Sequence, residues 1–440
     1  MVLPVPNTFS SRLRRQFRQF IWGGEWAVSL PEDVKHNLYW FFFDGFFATA
    51  GDNIYYTYLV IYVLALGATS QQIGWMSSVT SLVAALVLLP GALLVEKIGR
   101  RKEIVVISGG LLTRLMFPIL AILPFIAKGQ GLIWAAILCS VLHDAGANLA
   151  FPAWIAMTGE MVPVEGRGRY FGSRNVIYGI IGMVIIYLAG ELITGMGSPG
   201  GYQVAFMAAF LIGSAATYSF WRLRDPHTSQ VSKVEAPISL AGALRDIKAH
   251  PGFIVLCLVM ALWNFSLNIA GPFFNVRMVN DLKFTASMIG VLTIISTVSN
   301  LLVQRKMGEL ADRIGPRRVQ MICMLFIPFL TISWVIIAHY WQVVVVNIFS
   351  GVLWGVFGLV SFNLLLDLTP DAQRARYSAI YQIVMLVALA IGAAFGSWVI
   401  SRWGYPGVFT CSAIGRMLAA ILFALFVPTA EGLARRNASA

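Results

Sequence analysis

The sequence predicts an all-α membrane protein built as two six-helix transmembrane bundles related by a pseudo-twofold axis. Three observations predict it. Charged residues make up 12% of the 440-residue chain and hydrophobic ones 58%, with a mean hydropathy of +0.75. A soluble domain carries about 25% charged residues, so half that charge points to a bilayer. Long apolar runs fall six on either side of one polar connector, residues 223–250. And a short basic loop occurs once in each half.

A membrane-crossing helix needs roughly 20 apolar residues. Twelve runs qualify: 38–66, 72–95, 104–126, 131–158, 172–193, 203–222, 252–276, 285–305, 319–338, 341–366, 377–400 and 407–427. The chain then divides into a lead-in (1–37), a first bundle (38–222), a linker (223–251), a second bundle (252–427) and a tail (428–440). Arginines and phenylalanines alternate through 9–18, which reads as a helix lying on the membrane surface. Ser29-Leu-Pro-Glu32 reads as a capping box at the entry to the first span.

Lysine and arginine set the direction. With the N-terminus in the cytoplasm, 26 of the 32 basic residues fall on that side and four on the other. Arg114 and Arg416 remain within spans. Both termini and the linker are therefore expected in the cytoplasm, with the protein in the plasma membrane. The same placement accounts for the net charge of +12 without nucleic acid. Cys139, Cys257, Cys323 and Cys411 lie in apolar runs without metal-type spacing and read as core residues. No metal or cofactor is expected.

The basic loop carries the repeat. Ala92-Leu-Leu-Val-Glu-Lys-Ile-Gly-Arg-Arg-Lys102 aligns without a gap with Gly308-Glu-Leu-Ala-Asp-Arg-Ile-Gly-Pro-Arg-Arg318, 216 positions later. In the same register Glu96 matches Asp312, Gly99 matches Gly315, and Asp52 matches Asn268. A second element repeats at 207 positions, where Glu160 to Tyr170 matches Asp367 to Tyr377 and Arg167 matches Arg374.

With these motifs the chain resembles the major facilitator superfamily of secondary transporters. Gly308 to Arg318 is the fuller copy of that family's signature; in the first copy Ala92 and Glu96 depart from it. Glu160 with Arg167 matches the Glu-x6-Arg element of sugar-porter-like members. The resemblance implies a cytoplasmic gate of Glu96, Gly99, Arg100, Arg101, Glu160, Arg167, Gly308, Asp312, Arg313, Gly315, Arg317, Asp367 and Arg374. Its ion pairs would latch the inner side while the outer side is open. Gly308, lacking a side chain, is expected to admit a neighbouring helix.

Ionisable groups at mid-membrane are costly and mark function. Asp52 is midway along the first span, and the resemblance puts that span on a central cavity. A carboxylate there could carry a proton; its alternative role is a pair with Arg114. His143 and Asp144 are midway along the fourth span, where Asp144 could equally pair with Arg114. Neighbouring helix positions are about 100° apart, so both are not expected to face the cavity. Asn53, Trp263, Asn264, Asn268, Trp354, Asn363 and Gln382 supply amides and aromatic rings suited to a sugar-like or amphipathic ligand, or to contacts between helices.

The function implied is secondary active transport of a small organic solute by alternating access, coupled to an ion, a proton, by a monomer in membrane lipid. Within it, drug or metabolite efflux by antiport and sugar-like uptake by symport stay open. The fifth span, Tyr178 to Gly190, lacks the Gly-Pro of drug antiporters. A non-transporting receptor is a further alternative. A membrane-embedded enzyme would need clustered acids or histidines, and the five histidines are scattered.

Overall fold

The computed structural model describes residues 21–22, 24–225, 251–367 and 374–427. Every regular element among them is helical. The first half comprises α1 (Glu32–Ala65), α2 (Ser70–Ile98), α3 (Arg101–Ile126), α4 (Gly129–Met161), α5 (Arg167–Met196) and α6 (Gly200–Trp221). The second comprises α7 (Pro251–Asn280), α8 (Ala286–Ile314), α9 (Pro316–Ser333), α10 (Tyr340–Asp367), α11 (374–403) and α12 (405–426). Nine helical stretches among the described residues are long and apolar enough to cross a membrane. One of them, Tyr377–Phe426, turns at Gly404 (φ 60°) and contains two of the predicted spans.

Several local readings are corrected. Glu32 opens α1 behind Pro31, and no side chain caps it, so Ser29 forms no capping box; its hydroxyl turns back to the Trp26 carbonyl. The capping box forms instead at α2, between Thr69 and Gln72. The helix of α7 is interrupted at Gly271-Pro272, where proline lacks the N–H that would continue the ladder. α3 widens to π-helical turns over Val105–Leu112. The surface helix expected near 9–18 and most of the linker lie outside the described residues.

The two glycines that close the repeated loop share a physical cause. Gly99 ends α2 at φ 69° and Gly315 ends α8 at φ 88°, both conformations that a side chain disfavours. Each lets the chain reverse into the next helix. Gly308 behaves otherwise: a Cβ there would meet Leu359 at 3.6 Å, an ordinary contact. The enforced close approach is at Gly91, where a Cβ would stand 2.5 Å from the Leu149 carbonyl oxygen of α4.

Helix contacts recur between the halves. α2 packs on α4 and α3 on α6; α8 packs on α10 and α9 on α12. The halves join where α2 lies along α11 and α5 along α8. The hydrophobic core is arranged unevenly along these helices. At the end opposite the basic loops, a single buried cluster draws on both halves, with Tyr58, Tyr62 and Phe206 from one and Phe273, Ile289 and Phe409 from the other. Toward the basic end the core divides into one cluster within the first half and another within the second. Polar contacts fasten the joined end: Ser78 donates to the Ala390 carbonyl at 2.8 Å and Ser287 N–H to Thr194 Oγ1 at 3.1 Å.

Candidate functional site

The first half encloses a cavity of about 510 Å³ between α1, α3, α4, α5 and α6. Asp44, Asp52, Asn53, Arg114 and Arg174 all line it. Asp52 and Asn53 come from the middle of α1, and Arg114 from α3 just past its widened turns. Both terminal nitrogens of Arg114 donate to the Asp52 carboxylate, the second at 3.4 Å. Arg114 is buried, whereas the Asp52 side chain keeps 33% exposure on the cavity. Gly213 of α6 makes room for it: a Cβ there would lie 2.6 Å from Arg114 Cδ. The ion pair removes the cost of leaving either charge alone in low dielectric.

A second acid and a second arginine lie in the same cavity. Asp44 is buried, just over two turns before Asp52 on α1. Arg174 of α5 is buried with its guanidinium 3.9 Å above the Phe41 ring and 4.9 Å from the Tyr178 ring. Its Nε donates to the Tyr178 hydroxyl at 2.6 Å, and that hydroxyl donates to the Phe42 carbonyl. Aromatic faces and a fixed acceptor therefore hold this cation inside the bundle. Two carboxylates and two guanidiniums line one cavity, and one carboxylate and one guanidinium of them are paired. Sequence position gave Arg174 away only weakly: it follows Arg167 and Arg169 and reads with them as loop charge.

His143 and Asp144 fall outside this group. His143 stacks on Tyr55 at 3.9 Å and is fully packed; its Nδ1 lies 2.8 Å from an Asp144 oxygen. The pair that Asp144 could have made with Arg114 goes to Asp52 instead. The geometric cause is that Arg114 is directed at α1 across the cavity, while Asp144 is taken by its own helix neighbour.

In the second half, a cavity of about 360 Å³ is bounded by α7, α8, α9, α10 and α12. Trp354, Trp334, Asn275, Asn347 and Arg416 line it. The other candidates of this half are engaged in packing. Trp263 is wholly buried against Phe357. Asn264 donates to the Met260 carbonyl and to Met385 sulfur. Asn268, the repeat mate of Asp52, donates to Leu389 O at 2.8 Å and Ser77 Oγ at 3.2 Å, tying α7 to α11 and α2. These contacts fit the alternative of bonding between helices, and Gln382 is exposed. The Asn363 side chain lies outside the described residues.

At the basic end, Arg101 makes a two-pronged pair with Glu160 at 2.9 and 3.0 Å and reaches Asp225 at 3.5 Å. Arg100 pairs with Glu103, and Arg167 donates to the carbonyls of Gly159 and Val162. Arg317 donates to the carbonyls of Ala424 and Val427. Each of these contacts stays within its own half. Arg313 is exposed. The side chains of Glu96, Asp312, Asp367 and Arg374 lie outside the described residues.

The sequence model of the major facilitator superfamily matches residues 41–277 and 256–440. The chain belongs to the major facilitator superfamily. It is 24% identical over 389 residues to the inner membrane transport protein YajR of Escherichia coli, covering 82% of this chain and 76% of that one. It is 23% identical over 391 residues to the multidrug resistance protein MdtG of Proteus mirabilis, covering 86% and 92%. The crystal structure of a D-xylose-proton symporter superposes with a TM-score of 0.66 at 14% identity, over 96% of this chain and 99% of that one. The fold and the membership agree with the sequence expectation, and the superfamily member is a multi-pass secondary transporter.

Proposed function

We propose that this transporter moves a small organic solute across the plasma membrane by rocking two six-helix bundles, and that Asp52 carries a coupling proton. The observation that carries the reading is that Asp52, although paired with Arg114, keeps 33% of its side chain exposed and lines the first-half cavity, where a proton can reach it. Protonating Asp52 would release Arg114 and make the cavity more positive by one charge. Because the pair spans α1 and α3, loss of its attraction changes the balance between packings of the first half. A proton and a conformation are coupled only if the two states bind that proton unequally.

The divided core supports the direction of the motion. With the basic end in the cytoplasm, the joined cluster closes the outside and the split clusters leave the halves apart on the inside. Among the described side chains, Arg101 bonds to Glu160 and Arg317 to the carbonyls of Ala424 and Val427 within their own halves, which supports an open cytoplasmic side. In the outward-open state the same arginines become available for pairs across the halves. The basic-residue asymmetry supports this orientation, with both termini inside.

Similarity to MdtG, and to the multi-drug resistance efflux pump PmrA of Streptococcus pneumoniae at 24% identity, favours export over sugar-like uptake. The test is uptake into proteoliposomes of a chemically diverse solute library, with and without an imposed pH gradient. Export coupled to protons requires accumulation that depends on an acidic interior. Accumulation that ignores the gradient contradicts proton coupling, and a sugar accumulated with the proton flux contradicts export.

A further inference from the structure

The second-half cavity contains a charge that its own half does not neutralise. Arg416 of α12 is buried to 3% exposure and lines the cavity. The five acids of residues 251–427 are Asp281, Glu309, Asp312, Asp367 and Asp371, all at the ends of predicted spans or in connections. In the first half Arg114, Arg174, Asp44 and Asp52 line one cavity, and Arg114 is paired with Asp52. Among the described residues, the second cavity is lined by a guanidinium and by no carboxylate.

An arginine stays protonated at every relevant pH and has five N–H donors. Arg416 spends one on Thr331 Oγ1 at 2.6 Å and one on the Leu267 carbonyl at 3.1 Å. Its Nε is buried without a protein partner. The two bonds fix the guanidinium in place, and the remaining donors keep their capacity. Neutral acceptors orient the group without cancelling its charge, and burial makes that charge attract an anion strongly.

The rest of the lining suits an organic body. Trp334, Trp354 and Phe274 line the cavity with aromatic rings, and Asn275, Asn347 and Ser350 add polar groups to the lining. About 360 Å³ lies within the range of small-molecule sites. We propose that this cavity binds an organic monocarboxylate, with the carboxylate on Arg416 and the hydrocarbon part against Trp334 and Trp354. The proposal rests on the transport reading above and narrows its solute to an amphipathic organic anion.

The test uses the purified full-length protein in detergent, with no gradient and no flux. Thermal unfolding is followed with benzoate, hexanoate and indole-3-acetate, each against its primary amide and against sodium chloride at equal ionic strength. At least one carboxylate raises the unfolding temperature, while its amide binds about tenfold or more weakly because a charge-assisted bond is lost. Arg416→Gln removes the shift. Arg416→Lys keeps the charge but not the planar fork, and weakens the carboxylate. The proposal is overturned if no carboxylate acts, if amide or chloride acts equally, or if Arg416→Lys binds as well as the native chain. Because binding is read without a pH gradient, such a failure leaves proton coupling by Asp52 standing, and loss of coupling leaves this site standing.

Discussion

Arg114 of α3 donates through both terminal nitrogens to Asp52 of α1, and Gly213 of α6 leaves the space in which it does so. The pair links two helices of the first half at mid-membrane. Removing one partner leaves a charge in low dielectric. Arg114→Gln should therefore destabilise the protein by on the order of 2 kcal/mol, reduced from the buried-pair value by the partial exposure of Asp52. Adding Asp52→Asn to Arg114→Gln should return part of that loss. Thermal unfolding of the two single variants and the double variant gives the coupling, and strictly additive losses contradict the pair.

Gly213 offers a test that leaves every charged group in place. Gly213→Ala sets a methyl 2.6 Å from Arg114 Cδ, and the arginine must shift. The expected cost is about 1–3 kcal/mol, with transport reduced more than expression. Pairing it with a shorter side chain at position 114 should relieve the packing cost without restoring transport. Normal transport by Gly213→Ala contradicts a need for this arginine geometry.

Alternating access requires the joined end to separate. Ser287 N–H bonds Thr194 Oγ1 at 3.1 Å across α8 and α5. Cysteines at both positions, Ser287→Cys with Thr194→Cys, should form a disulfide under oxidation. Transport should stop in the oxidised protein and return with a reductant, each single variant remaining active. Continued transport by a fully cross-linked sample contradicts opening at this end.

At the basic end the pair of Arg101 with Glu160 is partly exposed, with 35% of the Glu160 side chain accessible. Glu160→Gln should cost less than about 1 kcal/mol of stability, the range of surface pairs. Its effect should appear in the distribution of conformations. Labelling of a cysteine placed in the inner vestibule measures that distribution, and unaltered labelling contradicts a role in gating.

Much of this was legible in the chain itself because hydrophobicity and charge placement act at long range. Apolar runs defined the passes, and the repeat register matched Gly99 with Gly315 at two helix ends of positive φ. Asp52 and Arg114 stood out as isolated charges, and their pairing was one of two arrangements the residues allowed. Arg174 was obscured by its neighbours, since its burial depends on Phe41 and Tyr178 from two different helices. The packing of Asn264 and Asn268 was equally hidden, because partners on α11 and α2 are fixed by how the helices turn about their axes. Hydropathy is blind to that rotation. Gly308 failed for the same reason: the signature marks a loop, but the close approach falls at Gly91 on the other copy.

The central claim is that Asp52 couples the proton to the solute. Its most direct test compares Asp52→Asn with the native chain in proteoliposomes, using a transported solute from the library. Gradient-driven accumulation and solute-for-solute exchange are measured side by side. The account predicts that the variant loses accumulation and retains exchange, because the amide still lines the cavity but releases no proton. Accumulation at the native level by Asp52→Asn would contradict it.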